Sequence, residues 1–136
     1  MGKKKRVRDL AELSRLEQEI MNVVWNLGKC SSAEVIESYT KKRELAKTTI
    51  RTVIANLLKK GYIEQVPSME RGYRYRPCVS RDAVAKRSLK QLVSGLFSGS
   101  PRQAIAHLLR DERIDDGDLE EIHKMLDERK RGGRRK

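Results

Sequence analysis

Apolar side chains recur at intervals of three and four along most of this chain, with one short stretch near the middle where the interval drops to two. In SRLEQEIMNVVWNLGK, starting at Ser14, the stripe is Leu16, Ile20, Val23, Val24 and Leu27. Ser14 with Glu17 makes a capping box at its start, and Gly28 suits its stop. A second box, Ser31 with Glu34, opens a shorter helix in which Val35, Ile36 and Tyr39 face inward. A polar link, KKRELA, leads into AKTTIRTVIANLLKKGYI. There Ile50, Val53, Ile54, Leu57 and Leu58 form one face and Gly61 ends the helix.

After Gly61 the period becomes two: Tyr62, Glu64 and Val66 alternate with Ile63 and Gln65, PSMERG turns the chain, and YRYRP returns. This spacing predicts a hairpin with Tyr73 and Tyr75 packed on the helices and Arg74 and Arg76 on the opposite face. Three helices and a hairpin in this order predict a winged helix over residues 12–79. The expected fold class is mainly α with a small β-hairpin, a winged helix-turn-helix domain followed by a short helical region.

That second region, residues 80–128, begins at Ser80, a suitable cap for a helix striped by Leu89, Leu92, Val93, Leu96 and Phe97 and interrupted at Gly99. Ser100 and Pro101 open another helix through Leu109. Asp115 with Asp118 starts a last one carrying Leu119, Ile122, Met125 and Leu126. Three short amphipathic helices make a thin core for a solitary domain, and they bury more against a second copy of themselves. The expected dimer contacts are Leu89, Leu92, Leu96, Phe97, Ile105, Leu108, Leu109, Ile122 and Leu126.

Charge sharpens the picture. Of the net +12, +11 comes from five Lys or Arg in residues 3–8 and six in residues 129–136, read as a basic flexible arm (1–11) and a basic flexible tail (129–136). Between them, residues 9–81 carry 13 basic against 9 acidic groups, whereas residues 82–128 carry 7 against 10. The third helix stands out, because no Asp or Glu lies between residues 45 and 63. A solvated helix face ordinarily mixes both signs. Here Thr48, Thr52, Ala55, Asn56 and Lys59 point away from the apolar stripe, flanked by Lys47 and Arg51. Short hydrogen-bonding side chains, small residues and rim cations suit entry into the major groove of double-stranded DNA. Arg71 at the hairpin tip, with Arg74 and Arg76 on one strand face, suits its phosphates.

Other chemistries find little support. Cys30 and Cys78 have no paired CxxC spacing and read as free thiols of a reducing cytosol. His107 and His123, one per helix and without nearby cysteine, read as surface or interface residues, so no metal is expected. No apolar run is long enough to span a membrane and no signal peptide follows the charged start, so a cytoplasmic protein without membrane insertion is expected. Nucleotide-binding, metalloprotease and serine-hydrolase motifs are absent, so neither an enzyme nor a cofactor is expected. A second reading is a non-specific nucleic-acid-compacting protein bound through its basic tails, and a third is a protein-docking module.

The segments LSRLEQEIMNVVW, KTTIRTVIANLLKKGYI and RGYRYRP, in this order and spacing, resemble the penicillinase repressor family, which includes the beta-lactamase and methicillin-resistance repressors and copper-responsive relatives. The resemblance runs from about Leu13 to Lys130. It implies a homodimeric transcriptional repressor acting on a palindrome with TACA and TGTA arms. Lys47, Thr48, Thr49, Arg51 and Thr52 would serve as recognition-helix contacts and Arg71 and Arg74 as wing contacts. In the penicillinase repressors a membrane-bound sensor protease relieves repression by cutting after an Asn followed by a bulky apolar residue. The resemblance places His107 and Leu108 there, with His for Asn. The paired CxC motifs of the copper-responsive relatives have no counterpart, since no cysteine follows Cys78.

Overall fold

A computed structural model describes residues 6–68 and 72–133, in two compact units, Met1–Lys90 and Gln91–Lys136. The first holds a 3-10 turn (Val7–Asp9), α1 (Arg15–Leu27), α2 (Ser32–Thr40), α3 (Lys47–Lys60), the strands β1 (Ile63–Val66) and β2 (Arg74–Pro77), and the start of α4 (Arg81–Leu96). Both expected capping boxes form: the Ser14 and Ser31 hydroxyls accept from the N–H groups of Glu17 and Glu34, whose carboxylates accept in return. Gly28 and Gly61 end α1 and α3 at φ of 75° and 90°, a conformation that costs a glycine little and any side chain more.

The core is built by Ile20, Met21 and Val24 of α1, Val35, Ile36 and Tyr39 of α2, and Ile50, Val53, Ile54 and Leu57 of α3. Tyr62 and Ile63, at the start of the hairpin, complete it. The strands pair antiparallel with Ile63 opposite Pro77 and Val66 opposite Arg74. The expected alternation is imperfect: Tyr62 lies just before β1, and the left-handed turn at Gly61 drives both it and Ile63 into the core. Tyr75 packs against the core as expected, but Tyr73 is 61% exposed because it precedes the paired part of β2.

Two boundaries differ from the sequence reading. Leu10 is buried and Val84 of α4 packs in the same core, so the first unit begins before residue 12 and continues past residue 79. The arm expected over residues 1–11 is thus fixed from Val7 onward, while residues 1–5 lie outside the described residues.

The second unit holds the end of α4, α5 (Pro101–Leu109) and α6 (Asp116–Gly133). Ser100 caps α5, and Asp115 and Asp118 cap α6 reciprocally. α6 runs on to Gly133 where a flexible tail was expected from residue 129, since Lys130 and Arg131 sit favourably at a helix C-terminus. Residues 134–136 lie outside the described residues. Ala104 is the one buried apolar residue described in this unit, and Leu96, Ile105, Leu108, Leu109, Leu119, Met125 and Leu126 are all exposed. No helix among the described residues is long and apolar enough to cross a membrane.

Candidate nucleic-acid interface

α3 buries Ile50, Val53, Ile54 and Leu57 and turns Lys47, Thr48, Arg51, Thr52, Ala55, Asn56 and Lys59 to solvent, with Thr49 half-buried at the edge. Its start is unlike those of the other α-helices described. Those of α1, α2, α4, α5 and α6 each receive a Ser or Asp side-chain acceptor, whereas Ala46 offers none to α3. The first-turn N–H groups and the positive end of the helix dipole are left for an outside acceptor, beside two cations. Thr52 donates its hydroxyl hydrogen to the Thr48 carbonyl at 2.9 Å, which fixes its rotamer and leaves the oxygen lone pairs as acceptors.

Of the wing arginines expected from sequence, Arg71 lies outside the described residues. Arg74 is engaged within the fold: its guanidinium pairs with Glu34 at 2.7 Å and donates to the Lys29 carbonyl at 3.1 Å. Arg76 pairs with Glu64 across the hairpin at 2.9 Å. The backbone N–H of Ser31, helped by the Ser31 hydroxyl and Arg74, holds the Glu34 carboxyl below its ordinary value. Main-chain bonds join the hairpin to the turn between α1 and α2, since Cys30 N–H donates to Tyr75 O at 2.9 Å and Tyr75 N–H donates to Cys30 O at 2.6 Å. Burial raises the Cys30 thiol, and no disulfide joins it to Cys78.

The frame behind α3 rests on contacts that periodicity does not reveal. Lys60, in its last turn, donates to Glu17 at 2.7 Å and to the Glu12 carbonyl at 3.0 Å. Burial alone would raise the Glu17 carboxyl, but the Lys60 hydrogen bond and the Ser14 N–H outweigh it and hold it below its ordinary value. Arg87 of α4 donates to the carbonyls of Val7 and Leu10 and to the Tyr62 hydroxyl, which itself donates to Ala11 O at 2.6 Å. Trp25 Nε1 donates to Val79 O at 2.9 Å and Arg81 stacks over its ring. The capping boxes signalled Glu17 and Glu34, but nothing in the sequence marked Lys60, Arg74 or Arg87 as their partners or anchors.

In the second unit, His107 sits in the last turn of α5, exposed, with its ring 5.5 Å from that of Phe97, and Leu108 beside it is exposed too. Among the described residues no three His, Cys, Asp or Glu side chains gather into a metal-binding group.

A three-helix core, an exposed third helix and a hairpin tied to the turn between α1 and α2 define a winged helix-turn-helix protein with a helical C-terminal region. Residues 13–128 match the family described as Penicillinase repressor, and the chain belongs to that family. It is 26% identical over 117 residues to the penicillinase repressor of Staphylococcus aureus, covering 86% of this chain and 92% of the relative. It is 30% identical over 125 residues to the transcriptional regulator BlaI of Mycobacterium tuberculosis (strain CDC 1551 / Oshkosh), covering 90% and 88%. The solution structure of the Bacillus licheniformis BlaI monomeric form in complex with the blaP half-operator is 27% identical and covers 55% of this chain and 90% of that one, with a TM-score of 0.48.

Proposed function

We propose that this chain is a transcriptional repressor that binds a palindromic DNA operator as a homodimer, each α3 entering the major groove of one half-site. The observation that carries the reading is the exposed, acid-free face of α3 with its uncapped start. Family membership supports it, since relatives across nearly the whole chain are named as repressors. Lys47, Thr48, Thr49, Arg51 and Thr52 contact bases and adjoining phosphates, and Arg71 of the wing contacts the backbone. The exposed apolar residues of α4, α5 and α6 meet those of a second copy, which gives the operator its two-fold symmetry.

Fluorescence anisotropy on a TACA/TGTA palindrome and on its shuffled version tests this. Near physiological salt, a preference of about a thousandfold or more supports it, while equal affinity for both duplexes counts against it. Equal binding that vanished on removal of residues 1–8 and 129–136 would favour the non-specific reading, for which the concentration of charge in the two tails speaks.

The reading extends to relief of repression by a membrane-bound sensor protease cutting between His107 and Leu108. The exposure of both residues supports this. Mass spectrometry of the protein from induced cells checks it, with a fragment ending at His107 expected and intact chain under full induction as the contrary result.

A further inference from the structure

The wing of a winged helix is useful only if its tip is held at a fixed offset from the recognition helix, because both elements touch one rigid duplex. A two-stranded hairpin is marginal by itself in water and takes its position from whatever it is tied to. Here the ties converge on the turn between α1 and α2. Cys30 and Tyr75 exchange two main-chain hydrogen bonds, and one residue before Tyr75 the Arg74 side chain reaches Lys29 O and Glu34. Glu34 Oε1 is shared: it accepts from Ser31 N–H at 2.9 Å, closing the capping box of α2, and from Arg74 at 2.7 Å.

We propose that Arg74 is a positioning residue, clamping the wing to the start of α2 through Glu34 and Lys29, and does not itself neutralise a phosphate. The inference rests on the DNA-binding reading above and changes one residue's part in it. Arg74 and Glu34 form a closed charge pair, so the pair adds no net positive charge towards the duplex. The wing's contribution to affinity then passes through its placement, and it depends on an acid that would otherwise repel DNA.

Two substitutions in the full-length protein separate the roles. Arg74→Met keeps the apolar stem and removes the guanidinium. Glu34→Gln keeps the capping box, which takes either residue, and removes the charge pair. On the palindrome, both variants are expected to bind about fivefold more weakly than wild type, with an unchanged slope of log affinity against log salt. The double variant should be no weaker than either single one. Loss of a phosphate contact reads differently: R74M would lower the slope by about 0.9, and E34Q, which deletes a negative charge, would bind as tightly as wild type or tighter. That pattern would overturn the proposal.

A measurement without DNA keeps the two readings apart. In the free protein, amide exchange at Tyr75 and Cys30 is expected to quicken in both variants while that of the α1 and α3 core amides stays the same. Unchanged exchange at Tyr75 and Cys30 in both variants would overturn the clamp whether or not the palindrome is bound. A wild-type protein without preference for the palindrome, with quickened exchange in the variants, would refute the operator reading and leave the clamp standing.

Discussion

Glu17 accepts a 2.7 Å hydrogen bond from Lys60, so the residue that closes the capping box of α1 also anchors the last turn of α3. Both helix ends therefore depend on one carboxylate, itself only 5% exposed. Glu17→Ala is expected to cost about 2 to 3 kcal/mol, from a lost cap and a Lys60 ammonium left without its counter-charge, measured by urea unfolding. The pH dependence follows from the lowered carboxyl. A group whose folded pKa lies below its unfolded one stabilises at higher pH, and that stability is lost as the pH falls through the folded pKa, here below the ordinary carboxylate range. Glu17→Gln should flatten this acid limb, and a stability curve with the same acid limb in the variant would contradict the assignment.

Arg87 ties α4 to the N-terminal segment and to Tyr62 at once. Its Nε is buried with no hydrogen-bond partner among the described residues, so the guanidinium is held by its terminal nitrogens and by the Tyr62 ring 5.8 Å away. Arg87→Met should destabilise by about 2 to 3 kcal/mol, and Tyr62→Phe by about 1 to 2 kcal/mol. Because they share one network, the double variant should lose less than the sum. Additive losses in chemical denaturation would show that the two residues act independently.

The proposed reading of bases by α3 is tested by Thr52→Ala and Arg51→Ala. Each is expected to cost about 1 to 3 kcal/mol of operator affinity without lowering the melting temperature, since both side chains are exposed. Unaltered affinity in a folded protein would remove α3 as the reading element.

Self-association through the second unit is the fourth expectation. Leu96 is 78% and Leu108 58% exposed, and the proposed dimer would cover both. Leu96→Glu or Leu108→Glu should turn a dimeric mass by light scattering into a monomeric one while circular dichroism keeps its helical signature. A monomeric mass for the wild type at micromolar concentration would defeat the dimer outright.

The order of elements was legible in the sequence because it is set locally. Ser14 with Glu17, Ser31 with Glu34, and Asp115 with Asp118 each satisfy backbone groups three residues away, and Gly28 and Gly61 adopt positive φ without help from afar. The outward face of α3 followed from the same logic, since a 3.6-residue period fixes which side chains oppose the stripe.

Periodicity could not decide which charged residues were already spent. Arg74 and Arg71 looked alike as wing cations, yet Arg74 meets Glu34, forty residues earlier, only because the hairpin folds back on the turn between α1 and α2. Arg87 sits in a helix whose stripe gave it no distinction. Its partners at Val7, Leu10 and Tyr62 come from 25 to 80 residues away. Backbone period and caps act over a turn or two and are written in the sequence as spacing. A guanidinium chooses among all acceptors the fold brings within its reach, so tertiary structure alone decided which of these arginines are held inside the protein.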